Sequence, residues 1–175
     1  MKNIEMGHDS RSVANFILDL CDEHSFEVTN MGLNKVIFFA HSDLIASQEF
    51  ALVKSTFEAW QHGPVLPIVY HEFKRFANQP ITTRAKKLCK ATGDKVLATY
   101  DDIAHLKEFL NDCVSVYGKM SASQLRALSH KKGGAWDVVW NSSEDYNLGM
   151  RIPNKLIYKK ATHTLSNMEQ SNSVN

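Results

Sequence analysis

The sequence predicts a mainly α protein, a compact single-domain helical bundle around a central apolar helix, with a small antiparallel β element. Three observations predict this fold. Apolar residues recur at helical spacing between Ser10 and Glu23, and the segment after Thr29 is apolar on nearly every face. Thr92-Gly93-Asp94 is typical of a hairpin turn between short strands. A length of 175 residues, with 43% apolar and 22% charged residues, is typical of one soluble globular domain.

The first two helices have the clearest patterns. Ser10 or Asp9 can cap a first helix, and Thr29 or Asn30 can cap a second one. The stripe of the first helix consists of Val13, Ala14, Phe16, Ile17, Leu20 and Cys21. Because the second helix is apolar nearly all round, we expect it at the centre of the domain. Lys35 lies inside this apolar run, so its ammonium group must reach water or find a carboxylate.

The middle of the chain combines short strands with a third helix. The segment Phe50–Trp60 suggests one or two short strands. Pro64 is well placed as the first residue of the third helix, which Asn78-Gln79-Pro80 ends. The hairpin turn predicts strands over Lys87–Ala91 and Lys95–Thr99, in a region rich in lysine.

Helix signals return after residue 100. Asp101 or Asp102 can start a fourth helix that Gly118 ends, and Ser121 with Gln124 fits a capping box for a fifth. We also expect a short sixth segment, Ala135–Trp140, and a last helix that begins at Arg151-Ile152-Pro153. We expect a domain over residues 1–161 and a flexible polar tail over residues 162–175.

Composition and charge exclude several classes of protein. No apolar run approaches the ~20 residues that span a bilayer, and no signal-peptide pattern opens the chain, so we expect a cytoplasmic protein without membrane contact. Cys21, Cys89 and Cys113 lie far apart and lack metal or redox spacing. Residues 1–72 have a net charge of −6 and residues 73–100 one of +6, which suggests surfaces of opposite sign.

No catalytic motif is present in the sequence. The eight histidines form no His-Glu-x-x-His pair, and Gly133-Gly134 lacks the lysine of a phosphate-binding loop. A hydrolase is disfavoured because no nucleophile–base signature is found. We therefore expect no enzymatic activity, no catalytic residues, no metal and no cofactor.

The segment Phe57–Pro67 is the most informative part of the chain, because it sets aromatic residues beside a Gly63-Pro64 turn. Such a segment suits contact with another macromolecule, and equally an aromatic corner that fills the domain's own core. Trp60 fits either interpretation, whereas Trp136 is favoured as a core residue. Lys35 and Glu58 are each set among apolar residues, which suggests a partly buried ion pair between them.

Three blocks carry a resemblance to a known family. They are Asn30–Ala40, with Leu33, Lys35 and Phe38; Phe57–Pro67, with Tyr70 and Phe73; and Tyr117-Gly118 with Ser121, Leu125, Leu128, Ser129-His130 and Trp136. Together they resemble the Panacea-domain antitoxins, also called SocA-like and long described as phage-associated proteins. The resemblance covers roughly residues 10–140.

The resemblance implies a mainly helical antitoxin that neutralises a cognate toxin, encoded by an adjacent gene, through direct protein–protein binding. It leaves open delivery of the toxin to a protease, with the antitoxin as an adaptor. The candidate partner-binding residues are Trp60, Gln61, His62, Gly63, Pro64 and Tyr70. The motif residues expected to hold the fold are Leu33, Lys35, Phe38, Phe57, Glu58, Ser121, Leu125, His130 and Trp136.

A DNA-binding regulator of its own operon is the alternative function. The fourth and fifth predicted helices, with the turn at Gly118, loosely resemble a helix-turn-helix. The second of these helices has only Arg126 near its middle, with Lys131 and Lys132 at its end. Binding of nucleic acid and homo-oligomerisation stay open at this point.

Overall fold

The computed structural model of the chain describes residues 7–142 and 150–161, so the predicted tail lies outside the described residues. The α-helices are α1 Ser10–Glu23, α2 Asn30–Gln48, α3 Pro67–Phe73, α4 Lys107–Cys113, α5 Ala122–Ser129, α6 Ala135–Ser142 and α7, residues 154–161. The strands are β1 Phe57–Trp60, β2 Gly63–Val65, β3 Lys86–Leu88, β4 Lys95–Leu97 and β5 Arg151–Ile152. The predicted fold class, mainly α with small antiparallel sheets, is confirmed.

Helix α2 forms the centre of the domain, as predicted. Twelve of its 19 residues are buried, and it contacts α1, α3, α4, α5 and β2. Both long helices begin at predicted caps, because Asp9 accepts a hydrogen bond from the Arg11 amide and Thr29 accepts one from the Gly32 amide. The capping box of α5 is also present, with Ser121 and Gln124 bonded reciprocally.

Two small antiparallel sheets complete the fold. The first has the order β2-β1-β5, with Trp60 opposite Gly63 and Phe57 opposite Ile152. The second is the predicted hairpin, in which β3 pairs with β4 and Lys86 lies opposite Leu97. Its strands are shorter than expected, three residues each.

Some predicted boundaries were wrong. Pro64 lies in β2 rather than at the start of a helix, and α3 begins at Pro67. A proline is tolerated in β2 because this strand is at the edge of its sheet, where a missing N–H breaks no ladder. Arg151 and Ile152 form β5 instead of opening the last helix. The fourth helix opens with a 3₁₀ segment, Asp101–Leu106, and closes with a π turn, Val114–Gly118.

Candidate partner-binding site

A two-residue turn between β1 and β2 is the most prominent feature of the site. Gln61 and His62 are exposed at its tip, where Trp60 pairs with Gly63. Gly63 and Pro64, two of the candidate partner-binding residues, are buried, because the backbone there packs against the core. The turn therefore presents two exposed polar side chains next to a buried stretch of backbone.

Lys35 anchors this turn from α2. Its side chain is fully buried, and Nζ donates to the Pro64 carbonyl oxygen at 3.0 Å and to Met31 Sδ at 3.2 Å. Gly63 has φ +108°, and a Cβ there would lie 2.5 Å from Lys35 Cε and 2.7 Å from Ser129 Oγ. Only glycine lets the backbone pass this close to the lysine stem.

The buried amine is shifted towards its neutral form. Burial, together with the positive charge of Arg126, lowers the pKa of Lys35 from 10.5 to about 7. The two acceptors on Nζ, a carbonyl oxygen and a thioether, carry no charge that would offset burial.

The predicted ion pair between Lys35 and Glu58 was wrong. Glu58 instead accepts a hydrogen bond from Trp60 Nε1 at 2.9 Å. The reason is the alternation of β1: Phe57 and Ala59 point into the core, whereas Glu58 and Trp60 lie on the opposite, half-buried face. The carboxylate therefore points away from the lysine.

Trp136 ties the third motif block to the turn. It is 5% exposed, so its predicted place in the core is confirmed, and its Nε1 donates to the Trp60 carbonyl oxygen at 2.9 Å. The His130 ring packs on it with centroids 3.7 Å apart, and His130 Nε2 lies 3.4 Å from the Gln61 carbonyl oxygen. The turn is thus fixed from one side by α2 and from another by the end of α5 and by α6.

An aromatic edge extends the turn towards α3. The Trp60 and Tyr70 rings meet at 4.9 Å in a T-shaped arrangement, and His71 lies 5.5 Å from Tyr70. We call the set Trp60, Gln61, His62, Tyr70 and His71 the aromatic turn surface. Half-buried aromatic rings beside exposed polar groups suit contact with a polypeptide, because such rings are rigid and offer both apolar faces and polar edges.

Most of the motif residues are buried. Those that are buried are Leu33, Lys35, Phe38, Phe57, Leu125 and Trp136. Glu58 and His130 are half-buried, and Ser121 is an exposed helix cap.

One polar contact that the sequence did not predict lies within an apolar groove of about 300 Å³. Its wall includes Phe38, Phe39, Tyr117 and Trp136, so the first and third motif blocks meet there. Tyr117 donates its hydroxyl hydrogen to Asp43 Oδ2 at 2.9 Å, and burial raises the pKa of Asp43. The only signal in the sequence was a carboxylate on an otherwise apolar helix.

Two negative observations apply to residues 7–142 and 150–161. In these ranges no group of three or more His, Cys, Asp or Glu side chains is placed to hold a metal ion. Within the same ranges no helix is both long enough and apolar enough to cross a membrane. Helix α5 exposes Arg126, and Lys131 and Lys132 follow it in exposed positions, so the DNA-binding alternative stays a prediction.

Comparison with known proteins identifies the family. The sequence matches the family described as "Antitoxin SocA-like, Panacea domain" over residues 33–137, a span that contains Lys35, the turn and Trp136. It is 36% identical over 150 residues to Antitoxin SocA of Caulobacter vibrioides (strain NA1000 / CB15N), which covers 85% of this chain and 80% of that protein. No solved structure matches. The chain therefore belongs to the Panacea-domain family of SocA-like antitoxins.

Proposed function

We propose that this protein neutralises a cognate toxin in the cytoplasm by binding it directly, without chemistry of its own. The observation that carries the proposal is the anchored turn within a chain of the antitoxin family. Lys35 and Trp136 bond to the backbone of the turn from two directions, while Gln61 and His62 face solvent. A rigid, exposed turn binds a partner at low entropic cost, because little freedom is lost on association.

The aromatic turn surface is the proposed contact. Trp60 and Tyr70 are half-buried, so their rings are already positioned by the fold and keep apolar area for a partner. Tryptophan and tyrosine in such positions often supply most of the binding free energy of an interface. A stable complex buries about 800 Å² on each partner, so the contact would extend beyond these five residues.

Two mechanisms of neutralisation follow from binding. In the simpler one, the antitoxin holds the toxin in a stoichiometric, inactive complex. In the other, it acts as an adaptor that delivers the toxin to a protease. The two differ in one measurable quantity, because only delivery lowers the amount of toxin in the cell.

The proposal is tested by expressing the product of the adjacent reading frame with and without this chain. We expect growth arrest by the neighbour alone, relief by the wild-type chain, and a co-purifying complex. His62→Glu should weaken the relief, because it places a carboxylate at the tip of the turn. His105→Glu is the matched control, since His105 is also exposed but lies on the 3₁₀ segment before α4.

The outcomes divide clearly. A neighbour that is harmless when expressed alone would contradict the antitoxin function. If His62→Glu and His105→Glu both relieve growth arrest as fully as the wild-type chain, the proposed contact surface is contradicted. The antitoxin function itself is not contradicted by that result. Toxin levels measured by immunoblot during relief separate the inactive complex from delivery to a protease.

A further inference from the structure

We infer that the β3–β4 hairpin is a second docking surface, which binds an acidic, extended segment of the partner protein. The inference deepens the proposed function and rests on it for the identity of that partner, the toxin. It is carried by three properties of the hairpin: a base held by α1, exposed leucines, and lysine side chains that form no ion pair within the described residues.

Asn15 of α1 fixes the base of the hairpin. Its side chain is 1% exposed, and Nδ2 donates to the carbonyl oxygens of Ala85 at 3.0 Å and Ala98 at 2.9 Å. Its Oδ1 accepts from the Ala85 amide at 2.7 Å. Arg84 adds ion pairs to Asp19 and Asp22 of the same helix. A two-stranded hairpin is marginal by itself, so these contacts hold it in place.

The strands above this base expose apolar side chains. Leu88 is 62% exposed, Leu97 is 53% exposed and Val96 is 40% exposed. Lys86 lies opposite Leu97, and Leu88 lies opposite Lys95. Because directly opposed residues share a face of a sheet, both leucines and both lysines lie on one face. A pair of exposed leucines on one small face is a mark of an interaction surface.

The hairpin as a whole carries an excess of positive charge. Residues 86–97 hold four Lys residues against one Asp. Within the part of the chain that the structure describes, no ion pair engages Lys86, Lys87, Lys90 or Lys95. Charge complementarity therefore favours an acidic partner.

The backbone indicates that the partner segment is extended. Within the described residues the outer edge of β4 has no neighbouring strand, so it can pair with a further one, whereas the Lys86 amide at the outer edge of β3 donates to Glu72 Oε1 at 3.1 Å. Residues 86–97 contain no aromatic side chain, which disfavours single-stranded nucleic acid held by base stacking. Lysines alone would suffice to protect an exposed edge from aggregation, but the leucines add apolar area that suits a polypeptide better than a nucleic acid.

Two double variants test the surface by calorimetric titration with the toxin. Leu88→Ser with Leu97→Ser removes the apolar pair, and Lys86→Glu with Lys95→Glu reverses the charge. Each should weaken binding at least about tenfold, and the charge reversal should also flatten the dependence of affinity on salt. Lys119→Glu with Lys155→Glu is the matched control, because both lysines are exposed, both lie outside the hairpin and the change in charge is the same. Circular dichroism verifies that every variant is folded.

A second probe makes the test independent of the toxin. A peptide of alternating glutamate and valine, added to the labelled full chain, should shift the backbone amide resonances of residues 86–97. A lysine–valine peptide should not shift them.

Wild-type affinity for the toxin in both hairpin double variants would overturn the inference.

If the product of the adjacent gene does not bind the wild-type chain, the proposed function is contradicted and the peptide decides the hairpin. Shifts confined to the hairpin would then support an acid-binding surface, and their absence would overturn it. Specific binding of DNA that the lysine reversal abolishes, without any response to the acidic peptide, would overturn it in favour of nucleic acid.

Discussion

The buried amine of Lys35 makes the stability of this fold depend on pH in a defined direction. In the folded chain the pKa of Lys35 is about 7, whereas an unfolded lysine titrates near 10.5. Between these values the unfolded chain binds the extra proton, so the free energy of unfolding rises with pH. One pKa unit corresponds to about 1.4 kcal/mol, so the full penalty below pH 7 is about 5 kcal/mol.

Substitution of Lys35 by methionine isolates this contribution. The wild-type chain should gain about 1.5 kcal/mol between about pH 7 and about pH 8.5, measured by urea unfolding. Lys35→Met should show little of this gain, because methionine fills a similar volume and does not titrate. The measurement ends at about pH 8.5 because the buried thiols act in the opposite direction at higher pH. Burial raises the pKa of the Cys21 and Cys113 thiols to about 12, which lowers stability above about pH 9.

Lys119→Met is the control, because Lys119 is exposed and its replacement should leave the rise intact. The reasoning would be refuted if Lys35→Met gained as much stability as the wild-type chain. It would also be refuted if neither the wild-type chain nor Lys119→Met gained stability over this pH range.

Three further substitutions test backbone strain and burial. Gly63→Ala should destabilise the fold by more than 2 kcal/mol in urea unfolding, because its Cβ would meet Lys35 Cε at 2.5 Å. Gly93→Ala should cost about 1 kcal/mol, since φ is +76° and the space is empty; equal losses would contradict the steric argument. Burial lowers the pKa of His41 to about 4, so stability should fall by up to about 3 kcal/mol as pH falls from 6.5 towards 4. His41→Gln should remove that fall, and an unchanged acid limb would contradict it.

The helical frame was predictable because its signals are local. The stripe of α1, the apolar surface of α2 and the caps Asp9, Thr29 and Ser121 each depend on residues a few positions apart. Pro64 was placed wrongly because a proline suits both a helix start and an edge strand, and its neighbours do not distinguish them.

The details of the site depend on contacts that are distant in sequence. Lys35 meets Pro64, and Trp136 meets the Trp60 carbonyl across 76 positions. The alternation of β1 could have shown that Glu58 points away from Phe57 and thus from the core, had the strand been bounded correctly. The hydrogen bonds from Asn15 to the hairpin base could not be predicted from the sequence, because an asparagine on a helix rarely has this role.

The central claim is that the anchored turn serves to grip a toxin, and a titration of the purified product of the adjacent reading frame tests it most directly. We predict a saturable complex of fixed stoichiometry, in which toxin activity disappears in proportion to the complex formed and which His62→Glu weakens. Loss of toxicity without any complex, or a complex in which the toxin stays fully active, would contradict the account.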